Sequence, residues 1–212
     1  MSMPMPILTA QPDGSFQLPS LGRSELAASA HPTRLGARLD PALSAATLAQ
    51  LQKCPRLQRR LTELLLDNDS KSNDVERGLD LLRGNDPLRA ALLAGSAWHA
   101  RSLLKLVSQP DLTVLIQRIG ADAHAFGIRH LAHAIADRLI ADPGKLAHQI
   151  EHDGHACLGA WLHHSPVMER NRVLLRLPVG TAADNPEPKH GNAAGQLLSL
   201  VVRHFEAENP PI

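Results

Sequence analysis

Aromatic side chains are scarce: three Phe, two Trp and no Tyr make up 2% of 212 residues. Large rings therefore cannot dominate a core, and single strands of nucleic acid find few stacking platforms. Leu, Ala, Ile and Val must fill the interior instead, a mix that favours packed helices over sandwiches or barrels. Charge of one sign is also missing. The formal net charge is +1, so no strong field exists to attract nucleic acid. The only basic cluster, Lys53, Arg56, Arg59 and Arg60, is followed by Asp67, Asp69 and Asp74, and reads as a solvated helix face. Cys54 and Cys157 are the only cysteines. Two distant thiols make no disulfide framework and suit a reducing compartment. The opening MSMPMPILTAQP has no basic residue before Arg23 and no long apolar run, which argues against a secretory leader. No stretch of about eighteen residues is apolar and uncharged enough to read as a membrane span.

What is present is helical patterning. Hydrophobic residues make up 43% and charged residues 20%, enough for a sizeable core. The expected fold is all-α: one irregular domain of about seven to nine helices over 41–212, preceded by a Pro-rich arm over 1–40. The arm holds Pro4, Pro6, Pro12, Pro19 and Pro32, with at most one helical turn near Glu25. Leu43, Leu48 and Leu51 predict a first helix, interrupted near Pro55. Leu57, Leu61, Leu64 and Leu65 continue its stripe. Asn73 is a candidate cap for a short helix carrying Val75, Leu79 and Leu82.

Asp86-Pro87 is an N-cap followed by proline at the first helical position. The run from Ala90 to Trp98 is apolar nearly all round, as in a helix buried on several sides. Gly95 and Ser96 would let a neighbour approach closely. Pro110 opens another helix, which Gly120 ends. Residues 121–140 read as one further helix, with Ile128, Leu131, Ile135 and Leu139 on one face and His130, His133 and Asp137 on another. Pro143-Gly144 breaks the chain, 145–164 gives one or two short helices around Gly154, and Pro166–Leu177 gives another. Residues 178–192 read as a loop, with Asn192 capping a last helix that carries Leu197, Leu198, Val201 and Phe205.

Three constellations could carry chemistry. His148-Gln149-Ile150-Glu151-His152 matches H-x-x-E-H, which on a helix places two imidazoles one turn apart for zinc and a carboxylate as general base. His155, His163 and His164 lie close by. A third ligand is missing from any recognisable motif, and with twelve histidines a chance pair is unsurprising. His130, His133 and Asp137 have a spacing that can hold a metal but equally suits a solvated face. His155-Ala156-Cys157 sets a histidine near a thiol, but the apolar setting of Cys157 favours an inert core residue. No phosphate-binding loop, dinucleotide turn or nucleophile elbow occurs. No catalytic residue, cofactor or metal ligand is assigned. A small zinc protein or metallohydrolase on His148, Glu151 and His152 is the alternative reading.

The stretch LLAGSAWHAR at 92–101, then Leu112 to Gly120, then ADAHAFGI at 121–128, resembles the K component of type III secretion systems. This is the SctK family of YscK, MxiK and OrgA proteins, and the likeness is greatest to its rhizobial nodulation branch. It has force over about residues 86–140 and rests on packing patterns. It implies a non-enzymatic cytoplasmic adaptor recruited to the inner face of the bacterial inner membrane. Its implied partners are proteins: the cytoplasmic part of an SctD-type ring component and an SctQ-type sorting-platform component. It implies neither nucleic acid nor membrane insertion. It assigns no site residue, and the partner-binding surfaces stay open among the arm, the 178–192 loop and the exposed faces of 86–107 and 121–140.

Overall fold

The computed structural model describes residues 23–65, 81–82 and 84–209. Among them are eleven α-helices and no strand: α1 (Arg23–Ser29), α2 (Pro32–Leu39), α3 (Ala45–Lys53), α4 (Pro55–Leu65), α5 (Pro87–Trp98), α6 (Ala100–Lys105), α7 (Gln109–Ile119), α8 (Ala121–Arg129), α9 (Pro143–Leu162), α10 (Val167–Leu175) and α11 (Pro188–Glu208). The all-α expectation holds. No described helix is long and apolar enough to cross a membrane. The helix expected behind Asn73 lies outside the described residues.

The body is built on α5 and α9, with α8, α7 and α11 packed around them. Asp86 caps α5 by accepting the Leu88 N–H at 3.0 Å, and Pro87 occupies the first turn without losing a bond. Nine of the twelve residues of α5 are buried, as its nearly uniform apolar face requires. The crossing with α9 is backbone on backbone. A Cβ on Gly95 would overlap the carbonyl of Ile150, and one on Gly154 would overlap the carbonyl of Ala91. Gly154 was expected to unsettle the chain; instead it lies inside a continuous 20-residue helix. The contact with α5 gains more from close packing than the glycine loses in helix propensity. Pro143 does not break the chain either. It sits in the first turn of α9, with Asp142 as cap accepting the Lys145 N–H at 2.6 Å.

Three further elements differ from expectation. Residues 121–140 are not one helix: α8 ends at Arg129, a 3-10 turn spans Leu131–His133, and the chain then runs extended. The cause is the break between α5 and α6 at His99. It frees the Trp98 carbonyl, which accepts the Ile135 and Ala136 N–H groups at 3.1 and 3.0 Å and so draws the backbone out of helix. The last helix begins at Pro188, not behind Asn192, because His190 and Ala194 already face the core. The range 1–40 contains α1 and α2, where one turn was expected near Glu25. His31 caps α2; α1 buries Leu26 and Ala27, and α2 buries Leu35 and Gly36.

Helices α1 to α4 form a second, smaller cluster around Leu26, Leu35, Leu48, Leu61 and Leu65, joined to the body through Leu175. The joint is polar. The Arg34 guanidinium donates to the carbonyls of Leu177 at 3.1 Å and Pro178 at 3.2 Å, and pairs with Asp184 at 2.5 Å. The His31 N–H donates to the Leu175 carbonyl at 2.8 Å.

Candidate functional site

The densest group of chemically capable side chains surrounds Asp153, in the interior of the body. Its carboxylate is 3% exposed and accepts four hydrogen bonds. His99 Nε2 and Gln149 Nε2 reach Oδ2 at 2.8 and 3.0 Å. His190 Nε2 and His152 Nδ1 reach Oδ1 at 3.0 and 3.2 Å. His99 follows Gly95 by one turn and Asp153 directly precedes Gly154, so the glycine crossing sets the His99–Asp153 distance. His190 arrives from the first turns of α11 and rests against the Trp98 ring, 5.0 Å between centroids. One carboxylate thus ties the α5–α6 joint, α9 and α11 together.

Burial by itself would raise the Asp153 pKa, yet the hydrogen bonds from His99, Gln149, His190 and His152 outweigh it and hold the carboxyl well below the usual carboxylate range. When neutral, His99 and His190 must carry their protons on Nε2, which leaves each Nδ1 buried without a hydrogen-bond partner. Beside them, burial lowers the pKa of His155, whose Nδ1 lies 2.8 Å from the Glu151 carbonyl.

His148 and Glu151 of the H-x-x-E-H motif are exposed, while His152 turns toward Asp153. Among the described residues this pair gathers no third ligand atom. Among the described residues, the one set of three His, Cys, Asp or Glu with ligand atoms within 4.8 Å of one another is Asp122, His204 and Glu208. There the Arg89 guanidinium already bridges the carboxylates, at 2.6 Å to Asp122 and 2.7 Å to Glu208, and lies 5.2 Å from the Phe205 ring centroid. His130, His133 and Asp137 do not share a helix face, since the helix ends before them. Cys157 is fully buried, and burial pushes its thiol up to about 12.

Sequence reasoning missed Asp153, His99 and His190 as a group. A signal was present: Leu146, Ile150, Asp153 and Cys157 recur at helical spacing, so an acidic residue stands on the buried stripe of α9. His190 likewise heads the stripe of Ala194, Leu197, Val201 and Phe205 on α11. Two polar residues in core register on separate helices point to a buried pair.

Chemically, the group orders helices: His99, Asp153 and His190 are buried, while His152 reaches Asp153 from the surface side. No family model matches this chain, and no solved structure matches it. Two relatives match along its whole length. Nodulation protein NolU of Sinorhizobium fredii is 72% identical over 212 residues, spanning 99% of this chain and all of the relative. Nodulation protein NolU of Rhizobium fredii is 71% identical over the same span. Identity of this degree from end to end meets the expected likeness to rhizobial nodulation proteins: the chain belongs to the NolU family of nodulation proteins.

Proposed function

We propose that this chain is a non-enzymatic adaptor of a bacterial type III secretion apparatus. It links the inner-membrane ring, through the cytoplasmic part of an SctD-type component, to an SctQ-type component of the sorting platform below. The reading is carried by the likeness of residues 86–140 to the SctK family, together with full-length membership of the nodulation family. It is supported by how the interior uses its chemistry. His99, Asp153 and His190, the groups best suited to acid–base work, are each under 5% exposed and are spent on joining helices. What faces outward is a rigid helical body, and binding would come from a few apolar anchors inside polar rims.

The test is co-purification of the full chain with the SctQ-type component and with the cytoplasmic part of the SctD-type component. A stable complex with each is expected. Absence of both complexes, under conditions in which related systems assemble, would overturn the reading.

A further inference from the structure

The cluster formed by α1 to α4 is incompletely covered. Its fourth helix carries Leu57, Leu61 and Leu64 along one face, at spacings of four and three residues. Leu61 is buried, but Leu57 is 39% and Leu64 44% exposed. These three, with Leu39, Leu43 and Leu51 from the α2–α3 side, line an open groove of about 310 Å³. That volume lies at the small end of the roughly 300–1,000 Å³ typical of binding pockets. It suits the apolar side chains of one short segment.

The rim is basic along one flank. Arg60 lines the groove and is 66% exposed on its side chain, with Arg56 one turn before it and Lys53 at the end of α3, both exposed. Two carboxylates lie close and offset part of that charge, so the excess positive charge of the flank rests on Lys53 and Arg56. Glu63 pairs with Arg60 at 3.2 Å, and Asp40, which also lines the groove, accepts the Ala42 N–H at 2.8 Å. We infer that this groove seats an amphipathic helix of a partner protein. That helix presents two apolar side chains one turn apart, with carboxylates on the flank that meets Arg56 and Arg60.

The basic flank decides between occupants. A second copy of this chain, paired face to face about a two-fold axis, brings the same patch against itself. Both copies would then bring the same excess of positive charge, Lys53, Arg56 and Arg60 over Asp40 and Glu63, to one interface, and like net charge opposes association. An acidic helix meets the same flank with opposite charge. Helix-in-groove recognition also uses anchors at the i and i+3 or i+4 spacing that a leucine-walled groove between helices accommodates. The α2 wall does not give way on docking, because Arg34 and His31 fasten that helix to the body.

This inference names a docking surface for the adaptor proposed above and rests on that reading. The test measures affinity of the full chain for the purified SctQ-type component in four forms: unchanged, Leu57→Glu with Leu64→Glu, Arg56→Glu with Arg60→Glu, and Val107→Glu. Val107 is an apolar residue outside the groove, 84% exposed. Helix content and melting temperature confirm that each variant is folded. At least tenfold weaker binding by the leucine pair is expected, with several-fold weaker binding by the arginine pair and no change for Val107→Glu. Equal binding by all four folded forms overturns the groove and leaves the adaptor reading standing. If the unchanged chain does not bind the SctQ-type component, that arm of the adaptor reading fails. A photo-crosslinker at position 64 in native cells then judges the groove by itself. An adduct to an acidic, amphipathic segment of another protein, lost in Arg56→Glu with Arg60→Glu, upholds it. An adduct to a second copy of this chain, or none, overturns it.

Discussion

The body and the small cluster of α1 to α4 solve the same packing problem in opposite ways. In the body, Ala and Gly allow α5 and α9 to touch through their backbones, and one buried carboxylate ties three segments together. In the small cluster, leucines do nearly all the packing, and two of them, Leu57 and Leu64, stay exposed. A core made by backbone contact has no slack, whereas one made by leucine side chains can leave a face unfilled and tolerate change there. The contrast separates a region that holds shape from a region that can receive a partner.

The sharpest break of that contrast is a side chain at the glycine crossing. Gly154→Leu must separate α9 from the Ala91 carbonyl, and is expected to cost about 3 kcal/mol or more. Urea unfolding would show a large loss of midpoint or no folded state. Leu64→Ala, on a half-exposed leucine of the small cluster, is expected to cost about 1 kcal/mol or less. Comparable losses at the two sites would erase the distinction.

Next in size is Asp153→Asn. The amide can accept at only one of its two ends, so its NH₂ meets a donating imidazole. A loss of about 2–3 kcal/mol follows from leaving buried polar groups mismatched. The same residue sets a pH dependence. The Asp153 pKa is depressed in the folded state, against about 3.9 unfolded. Its contribution is therefore whole above about pH 5 and is lost as pH falls through the folded value. The gap in unfolding free energy between the native chain and Asp153→Asn should shrink as pH drops from 5 toward 2. His155, lowered by burial from about 6.5, makes both forms lose stability as pH falls below about 7 and so drops out of the gap. A gap that stays constant with pH would show that Asp153 is not ionised in the fold.

Much of this was legible in the sequence. Asp86-Pro87 and the apolar run to Trp98 specify α5 and its burial, and Gly95 announced a close approach. Gly154 misled because helix propensity is local, while its partner backbone, at Ala91, is some sixty residues away in the chain. The end of α8 was hidden for a similar reason: the carbonyl that draws out Ile135 and Ala136 belongs to Trp98. The Asp153 group could have been suspected from core-register spacing, but its partners come from three segments, and no local pattern joins them. The H-x-x-E-H spacing was visible and drew attention to the exposed side of α9, one residue short of the buried acid.

Smaller effects sharpen the comparison. Arg89→Ala removes an exposed clamp on Asp122 and Glu208, with an expected loss of about 1 kcal/mol that shrinks in high salt. Thiol labelling should modify partly exposed Cys54 at once and reach Cys157 only on unfolding. His148→Ala should leave the melting temperature unchanged with or without added zinc, because His148 is exposed and shares no third ligand among the described residues. A zinc-dependent rise abolished by that substitution would restore the metal reading.

Hydrogen exchange of the full chain, alone and with the SctQ-type component, tests the central claim most directly. The account predicts new protection in peptides of α2 to α4, and no change in the slow exchange of α5 and α9 around Asp153. Protection confined to α5 and α9, with α2 to α4 unaltered, would contradict it.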